Sequence, residues 1–289
     1  NESPSNLATA YANTFDVCLV DAPCSGEGMF RRGEDVVKEW NENLPKMCAE
    51  RQLEILDSAD KVLKQGGVLI YSTCTYSIEE NENVVKTFMQ NYGYEIVNIN
   101  APFSRGIELE DSVTFYPHIV KGEGQFVKKK KKVKENDLVP SICLKLKEDK
   151  NAQKFIQKHI NIEEISKKYE DFECFIKKFG NYSYFVPDVS LIKKDVNYVS
   201  VGVKLGEDLK DRFEPDHYIF SAFGEYFKLK LNLKLNDEKV LKYLKGETFE
   251  TDLSDGYGAI FVEGCSLGGF KISKEKFKNH YPKGLRNLK

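Results

Sequence analysis

The fold is decided by the stretch FDVCLVDAPCSGEG, residues 15–28. Its first six residues form a short apolar run, which is typical of a buried parallel strand. The run ends at Asp21, and Gly26 and Gly28 then allow a tight loop that a ligand can approach closely. The stretch therefore predicts a strand whose C-terminal end carries a ligand-binding loop.

An alternation of helix and strand continues downstream. Residues 47–63 carry apolar side chains at helical spacing, the glycine pair 66–67 is placed to end that helix, and residues 68–71 form the next apolar strand. Ser77 and Glu80 then match a capping box, which predicts the start of a second helix. This order of elements predicts an α/β fold with a parallel sheet and right-handed crossovers.

Five consecutive lysines, residues 128–132, follow two more predicted strands at 113–117 and 124–127. The two strands are expected to close the edge of the sheet. We interpret the lysine run as a solvated tail or linker at a domain boundary, and we favour this over a dedicated phosphate-binding patch. The sequence therefore places the end of the first domain near residue 135.

Three domains are predicted in total. Residues 1–135 form the α/β domain, residues 150–212 a small α+β connecting domain, and residues 213–289 a β-rich domain. The remaining predicted elements are one or two amphipathic helices over 155–169, helices at 218–223 and 238–244, and strands at 182–186, 198–205, 256–262 and 269–272.

Composition narrows the class of protein. The 289-residue chain is 41% hydrophobic and 12% aromatic, which is enough apolar material for folded cores. Its formal net charge of −2 leaves nucleic-acid binding open, because binding depends on local charge.

The chain contains no apolar run of the ~18 residues that a membrane span requires. The polar N-terminus has no secretory signal, and the seven cysteines form neither a CxxC pair nor a zinc-type cluster. We therefore expect a cytoplasmic protein without a metal site or membrane contact.

Two of the seven cysteines differ from the others in their surroundings. Cys24 and Cys74 each lie just past the C-terminal end of a predicted strand, the edge of an α/β sheet at which ligands bind. If the two strands are neighbours, both thiols face one crevice, where they could form a redox pair, a metal site, or a nucleophile with an acid–base partner. The other five cysteines fit apolar or helical patterns, and we interpret them as small buried hydrophobic residues. Asp21 is a further candidate, because burying an unpaired carboxylate at a strand end would be costly.

Two segments carry a resemblance to a known family. DAPCSGEGMFRR at residues 21–32 and STCTYSIEENE at residues 72–82 resemble the two signature segments of the Sun-type (Nol/Nop/Sun) RNA cytosine-5 methyltransferases. The segments that look most like the bacterial 16S ribosomal RNA methyltransferase F subgroup are GMF at 28–30 with Trp40 downstream, YPHIVKGEGQF at 116–126, RFEPDH at 212–217, YLKGET at 243–248 and NHYPKGLR at 279–286. The resemblance covers essentially the whole chain.

The resemblance implies an S-adenosylmethionine-dependent enzyme that methylates carbon 5 of a cytosine in RNA. Cys74 matches the family's nucleophile, which adds to carbon 6 of the ring and so makes carbon 5 nucleophilic. Cys24 matches the cysteine that assists release of the product. Asp21 matches an aspartate between the cofactor and the cytosine, and with Pro23 it is expected to contact the cofactor. The alternative for Asp21 is that it accepts hydrogen bonds from the loop amides of residues 25–28.

The implied fold is the C-terminal half of a Rossmann-type methyltransferase sheet, followed by a small α+β domain and a β-rich PUA-like domain. The PUA-like end interleaves basic and aromatic side chains, a combination that suits phosphates and unstacked bases but also an ordinary basic surface. The candidate RNA contacts are Arg31, Lys278, His280, Lys283 and Arg286. The expected substrate is 16S ribosomal RNA, with transfer RNA as the alternative, and the expected oligomeric state is a monomer.

The residues before Asp21 lack one feature of the implied fold. No GxGxG-like cofactor loop occurs there, and only 14 residues precede the first predicted strand. We therefore expect an N-terminally truncated sequence that alone neither binds S-adenosylmethionine tightly nor methylates RNA. The competing hypotheses are a non-catalytic RNA-binding remnant and a dithiol redox protein with a reversible Cys24–Cys74 disulfide.

Overall fold

The computed structural model describes residues 1–97, 99, 104–105, 112–209 and 212–286, in two compact units. Unit 1 comprises Asn1–Ile142 and Lys193–Asn197, and unit 2 comprises Cys143–Ile192 and Tyr198–Lys289. No helix in these described ranges is long and apolar enough to cross a membrane. Within the same ranges, no group of three or more His, Cys, Asp or Glu side chains is placed to hold a metal ion.

The elements of unit 1 are, in chain order, α1 (Pro4–Ala10), β1 (Phe15–Asp21), α2 (Glu34–Glu39), α3 (Leu44–Val62), β2 (Leu63–Thr73), α4 (Glu82–Asn91), β3 (Tyr94–Ile96), β4 (Ser104–Arg105), β5 (Val113–Phe115) and β6 (Gln125–Lys132). The strands form one sheet in the order β1-β2-β6-β5-β4, and β3 also pairs with β6. This arrangement confirms the predicted α/β class. In the sheet of unit 1, β1 and β2 pair in parallel, and the other described pairings are antiparallel. The expected parallel sheet is therefore wrong beyond the first pair.

The core of unit 1 lies between this sheet and helices α3 and α4. Leu56 and Ala59 share one face of α3 and are buried with Leu69 of β2 and Phe126 of β6. Phe88 of α4 packs into the same cluster. Burying a side chain of this size stabilises the fold by about 1.5–3 kcal/mol. The core therefore holds β1 and β2 side by side, with their C-terminal ends at the same edge.

Two local expectations for these strands are wrong. β1 is only half buried, because it lies at one end of the strand order, with Val17 and Leu19 58% and 65% exposed. The helix before β2 ends at Val62, so Gly66 and Gly67 lie inside β2 rather than at a helix end. Gly66 has a φ of +80°, and the register between β1 and β2 shifts here. The two glycines therefore form an irregularity within the strand, where left-handed backbone favours glycine.

The five-lysine run is a strand of the sheet, and the solvated-linker interpretation is wrong. The run lies in β6, which hydrogen-bonds to β2 on one side and to β3 and β5 on the other. Strand alternation turns Lys128, Lys130 and Lys132 inward, and all three are buried. The Lys132 Nζ lies 3.3 Å from a carboxylate oxygen of Asp60 and donates to the backbone oxygens of Asp60 and Leu63 at 2.6 and 3.1 Å. The long aliphatic stems pack as apolar groups, and a paired ammonium group tolerates burial.

The elements of unit 2 are β7 (Lys147–Glu148), α5 (Lys150–His159), α6 (Ile162–Ser166), β8 (Ile176–Phe179), β9 (Tyr182–Phe185), β10 (Val203–Leu209), β11 (Arg212–Pro215), α7 (His217–Phe223), β12 (Leu229–Leu233), α8 (Glu238–Lys245), β13 (Gly256–Val262), β14 (Cys265–Ser273) and β15 (Lys276–Asn279). One sheet has the order β11-β10-β9-β8-β7, and a second has the order β12-β13-β14-β15. The turn between β13 and β14 has a positive φ at Glu263 and Gly264, as hairpin turns require.

A shared apolar cluster connects the elements of unit 2. Ile156 of α5, Phe185 of β9, Phe220 and Phe223 of α7 and Ala259 of β13 are buried in one cluster. A second cluster around Tyr243 and Phe270 packs α8 onto the last sheet. The predicted helices at 218–223 and 238–244 correspond to α7 and α8.

Candidate active site

Two loops meet where β1 and β2 end. The last register pair of the two strands is Asp21 with Ser72, so the segments that follow start side by side. The sulfur atoms of Cys24 and Cys74 lie 3.1 Å apart, and the Cys74 backbone N–H donates to the Cys24 Sγ at 3.2 Å. Both cysteines are half-buried and free. The structure thus brings together the two thiols that the sequence singled out.

The two thiols differ in pKa. The hydrogen bond from Cys24 lowers the pKa of Cys74 to about 7, although burial and the carboxylates of Asp21 and Glu80 act against this shift. The same hydrogen bond, together with burial, raises the pKa of Cys24 above the ordinary thiol range. Cys74 is therefore the thiol of the pair that loses its proton more readily, with the Cys24 S–H as its hydrogen-bond donor. A thiolate is the reactive form of cysteine, so the direction of the two pKa shifts favours Cys74 as the more reactive sulfur.

Backbone contacts fix the separation of the loops. The Gly28 N–H donates to the Cys74 carbonyl oxygen at 2.8 Å, and the Gly124 N–H donates to the Gly28 oxygen at 3.2 Å. A Cβ at Gly28 would lie 2.7 Å from the Gly124 oxygen and 2.8 Å from the Cys74 oxygen. Only glycine allows this approach, which explains the second glycine of the first loop.

Glu80 ties the first loop to the second, and the capping-box interpretation is wrong. Helix α4 begins at Glu82 with Asn81 as its N-cap residue. The Glu80 carboxylate is 0% exposed and accepts hydrogen bonds from the Ser25 N–H at 3.0 Å, from the Ser25 hydroxyl and from Gln52 Nε2 at 2.9 Å. Burial raises the pKa of Glu80, and the Ser25 and Gln52 donors oppose that shift. A Ser-x-x-Glu spacing is compatible with a helix capping box and also with a carboxylate that binds another loop, so the sequence alone does not distinguish these two roles of Glu80.

Glu27 is a second carboxylate that joins the loops, and it was not among the site residues predicted from the sequence. Its Oε2 accepts from the Thr75 hydroxyl at 3.1 Å and from the Tyr76 N–H at 3.3 Å. Its Oε1 accepts from the Trp40 indole N–H at 3.2 Å. The hydroxyls of Ser25 and Thr75 also share a hydrogen bond of 2.9 Å. Two carboxylates and two hydroxyls thus hold the cysteine loops in one geometry.

Asp21 and Pro23 lie at the start of the first loop. Asp21 is exposed, and its Oδ1 accepts from the Ser72 hydroxyl at 2.9 Å and from Gln125 Nε2 at 3.5 Å. The loop amide at Ser25 is satisfied by Glu80, so the alternative role of Asp21 as acceptor for that amide is not observed. Pro23 is exposed, and its carbonyl oxygen accepts from Gln52 Nε2 at 2.9 Å.

A cavity of about 320 Å³ lies against the half-buried face of β1. Its lining is mainly apolar and includes Leu19 and Val20 of β1 and Ile55 and Ala59 of α3, with Asp21 as its only acidic residue. An apolar wall with one carboxylate suits an organic cation, because opposite charge is attracted most strongly where water is partly excluded. The residues present therefore fit the aliphatic and sulfonium part of a methyl donor.

The five candidate RNA contacts fall into the two units. Arg31 is exposed in the turn Glu27–Arg32 of unit 1, and the other four belong to unit 2. Lys278 and Lys283 are exposed. The His280 ring packs near the rings of Tyr257 and Phe220, and burial lowers the pKa of His280. The Arg286 guanidinium donates two hydrogen bonds to the Tyr281 backbone oxygen, at 3.3 and 3.2 Å. Their roles in RNA binding remain predictions.

Comparisons with known proteins find similar sequences over most of the chain. Residues 3–131 match the family model described as 16S rRNA methyltransferase RsmB/F, and residues 230–287 match that described as methyltransferase RsmF PUA domain. A ribosomal RNA small subunit methyltransferase F from Shewanella piezotolerans is 30% identical over 293 residues, which cover 94% of this chain and 59% of the relative. The corresponding protein of Vibrio campbellii is 28% identical, with 94% and 60% covered. Among solved structures, NSun6 from Pyrococcus horikoshii is 36% identical over 40% of this chain and 30% of its own, with a TM-score of 0.37.

These matches define the class of protein as a methyltransferase domain accompanied by a PUA domain. Residues 3–131 of the chain are thus similar to 16S rRNA methyltransferases RsmB/F, and residues 230–287 are similar to the RsmF PUA domain. It spans between 58% and 60% of the length of the curated relatives named F that it matches.

Proposed function

We propose that this protein methylates carbon 5 of a cytosine in RNA through a covalent cysteine–cytosine adduct, with S-adenosylmethionine as the methyl donor. The single observation that carries the proposal is the pair of thiols at the ends of β1 and β2, 3.1 Å apart, with opposite pKa shifts. The match of residues 3–131 to a methyltransferase family model supports methyl transfer, and the pair of thiols supports cytosine as the acceptor. Carbon 5 of cytosine is a poor nucleophile until a thiolate adds to carbon 6.

Cys74 is the attacking group in this proposal. Its thiolate would add to carbon 6, and the ring electrons displaced towards carbon 5 would form the new bond to the methyl group as the methyl–sulfur bond of the donor breaks and leaves a neutral thioether. Carbon 5 then loses its proton to a base, and the carbon–sulfur bond breaks to return the Cys74 thiolate and the methylated base. A thiol with a pKa of about 7 is well suited to both steps, because it is ionised near neutral pH and is also a good leaving group.

Cys24 assists product release. Its S–H donates to the Cys74 sulfur, so it stabilises the thiolate each time that the carbon–sulfur bond breaks. Removal of the Cys24 thiol destabilises the leaving thiolate and shifts the balance towards the adduct. The two loop anchors, Glu27 and Glu80, act through the cysteines by keeping the two sulfur atoms at hydrogen-bond distance.

Asp21 and Pro23 are the residues that would hold the donor. S-adenosylmethionine supplies an electrophilic methyl group on a positively charged sulfur. The Asp21 carboxylate, at the apolar cavity beside β1, complements that charge, and it can also stabilise positive charge that develops on the activated ring.

The RNA substrate we propose is 16S ribosomal RNA. The relatives named ribosomal RNA small subunit methyltransferase F support this choice, and the PUA match supports an RNA partner. Transfer RNA is the alternative substrate, since the cysteine chemistry is the same for either RNA.

Adduct trapping on denaturing gels tests the proposal. In a protein of the relatives' full length that contains this sequence, Cys24→Ala incubated with 16S ribosomal RNA and S-adenosylmethionine should accumulate an RNA–protein adduct, whereas Cys74→Ala should form none. Cys48→Ala, which removes another half-buried thiol, is the matched control and should behave like the wild type. Adduct from Cys74→Ala and none from Cys24→Ala would show that the roles are reversed. Adduct formation with transfer RNA alone would identify transfer RNA as the substrate. Absence of adduct with either RNA would favour the alternative that the protein is a non-catalytic RNA-binding protein.

A further inference from the structure

Three aromatic rings lead away from the cysteine loops. Tyr76 follows Cys74 by two residues, and its ring stacks on that of Tyr116 with centroids 5.5 Å apart and planes at 19°. The Tyr116 ring in turn lies 5.6 Å from the His118 ring, at 36°. Tyr76 and Tyr116 are half-buried, whereas His118 is exposed. We call these three rings the aromatic ladder; its inner end lies beside the nucleophilic loop and its outer end is open to solvent.

The ladder is held by the backbone that carries it. The N–H groups of Ile119 and Val120 both donate to the Tyr116 carbonyl oxygen, at 2.9 and 3.0 Å, which closes a turn around His118. At the far end of the segment, Gly124 donates to Gly28 of the first cysteine loop, as described above. A Cβ at Gly124 would lie 2.1 Å from the Tyr76 hydroxyl oxygen, so glycine makes room for the inner ring. The ladder is therefore fixed relative to the two cysteine loops.

Charges of both signs lie near the ladder. Burial raises the pKa of Tyr76, the Arg31 guanidinium opposes that shift, and Tyr116 and the carboxylates of Glu123 and Glu27 add to it. The Arg32 Nε pairs with a Glu123 carboxylate oxygen at 3.3 Å, which ties Arg32 to the segment that carries Tyr116 and His118. Stacked aromatic rings beside arginines suit a single RNA strand, whose bases stack and whose phosphates are attracted.

We propose that the exposed face of His118 stacks an unpaired base of the RNA strand adjacent to the cytosine that Cys74 attacks. A base taken out of its stack for chemistry leaves its neighbour with an uncovered face. The ladder supplies a ring for that neighbour, and behind that ring lie the stacked pair Tyr116 and Tyr76 and the cysteine loops. The ligand of this subsite is thus a nucleobase of either type, since every base has a π-face. The location next to the target cytosine rests on the proposed function.

Fluorescence of 2-aminopurine tests the stacking directly. A single-stranded RNA with one cytosine and a 2-aminopurine on its 5′ or 3′ side is titrated with the protein. We expect quenching of one of the two probes on binding. His118→Ala should remove the quenching and weaken binding at least about fivefold, the lower end of the cost of losing one base–aromatic stack. His118→Phe keeps a ring and should retain both, and Ile119→Ala, which truncates a neighbouring side chain that is 55% exposed, should match the wild type.

Adduct formation separates this subsite from the reaction itself. In the Cys24→Ala background, His118→Ala should raise the RNA concentration for half-maximal adduct formation and leave the rate at saturating RNA unchanged. Quenching and affinity that survive in His118→Ala would overturn the subsite. Equal losses in His118→Phe and His118→Ala would also overturn stacking, because they would assign the effect to the imidazole nitrogens. Absence of adduct in every variant would contradict the proposed function, while the quenching titration would still decide whether His118 stacks a base.

Discussion

Candidate functional side chains are concentrated in two regions of the sequence, and the two regions are built differently. One region is the cysteine loops of unit 1, which carry Cys24 and Cys74. The other is the basic end of unit 2, which carries Lys278 and Lys283. In the loops, Ser25, Glu27, Thr75 and Glu80 are hydrogen-bonded to one another or to the backbone of the opposite loop. At the basic end, Lys278 and Lys283 are exposed, while His280 and Arg286 are engaged in packing and backbone contacts. The side chains of the loops are therefore held in place by specific hydrogen bonds, whereas the basic end presents exposed lysines as surface charges.

The largest effect is expected in the cysteine loops, where replacement of Cys74 should abolish most of the methyl transfer. Cys74→Ser replaces a thiol with a pKa of about 7 by a hydroxyl that is not ionised near neutral pH. Transfer of a labelled methyl group to 16S ribosomal RNA should fall by more than about a thousandfold, as for other nucleophile substitutions. Cys48→Ser should retain wild-type transfer. Retention of a tenth or more of the activity by Cys74→Ser would exclude Cys74 as the nucleophile.

The next largest effect is expected at the buried lysine strand that supports the loops. Lys132→Met leaves the carboxylate of Asp60 without its ammonium partner, so the free energy of unfolding of unit 1 should fall by about 3–5 kcal/mol. Lys131→Met, on the exposed side of the same strand, should change it by less than about 0.5 kcal/mol. Urea denaturation followed by fluorescence of Trp40, the one tryptophan of the chain, reports on unit 1. Equal stability of the two variants would contradict the structural role of Lys132.

A smaller effect is expected when one loop anchor is altered. Glu80→Gln replaces an acceptor oxygen by an amide donor that faces Ser25 or Gln52, so unit 1 should lose about 1–3 kcal/mol. The rate of adduct formation should fall with it, because the first loop loses its anchor. Glu79→Gln is the matched control, since the neighbouring carboxylate is exposed and accepts only from the Ser77 hydroxyl in the described contacts. An effect of Glu79→Gln as large as that of Glu80→Gln would mean that charge, not anchoring, is responsible.

The strands and helices with apolar periodicity could be predicted from the sequence, and those without it could not. The run at residues 15–20 and the helical spacing at residues 47–63 correspond to β1 and α3. The lysine run was misinterpreted because alternating burial of identical residues leaves no pattern in the sequence. Glu80 was misinterpreted for a related reason: its partners Ser25 and Gln52 are distant in sequence, and a local motif offered a simpler explanation. Contacts between distant residues decide both cases.

The smallest effect is expected at the basic end. Lys283→Ala should weaken RNA binding by a factor of about two to five, equally for all sequences, and reduce the salt dependence by about one counterion. Arg286→Ala removes two hydrogen bonds to the Tyr281 oxygen, so it should lower the stability of unit 2 as well as the charge. Filter binding at several salt concentrations measures the first effect. A loss restricted to one RNA sequence would show that Lys283 contacts a base.

Alkylation of each cysteine as a function of pH tests the central claim, that Cys24 holds Cys74 as the thiolate. Iodoacetamide labelling read out by mass spectrometry needs no RNA, and the exposed Cys143, Cys174 and Cys265 serve as internal references. The fraction of reactive thiolate rises as pH increases through the pKa, so Cys74 should be labelled with a midpoint near pH 7. In Cys24→Ala the hydrogen bond is lost while burial and the carboxylates of Asp21 and Glu80 remain, so the midpoint should move above that of the references. Faster labelling of Cys24 than of Cys74, or an unchanged Cys74 midpoint in Cys24→Ala, would contradict the account.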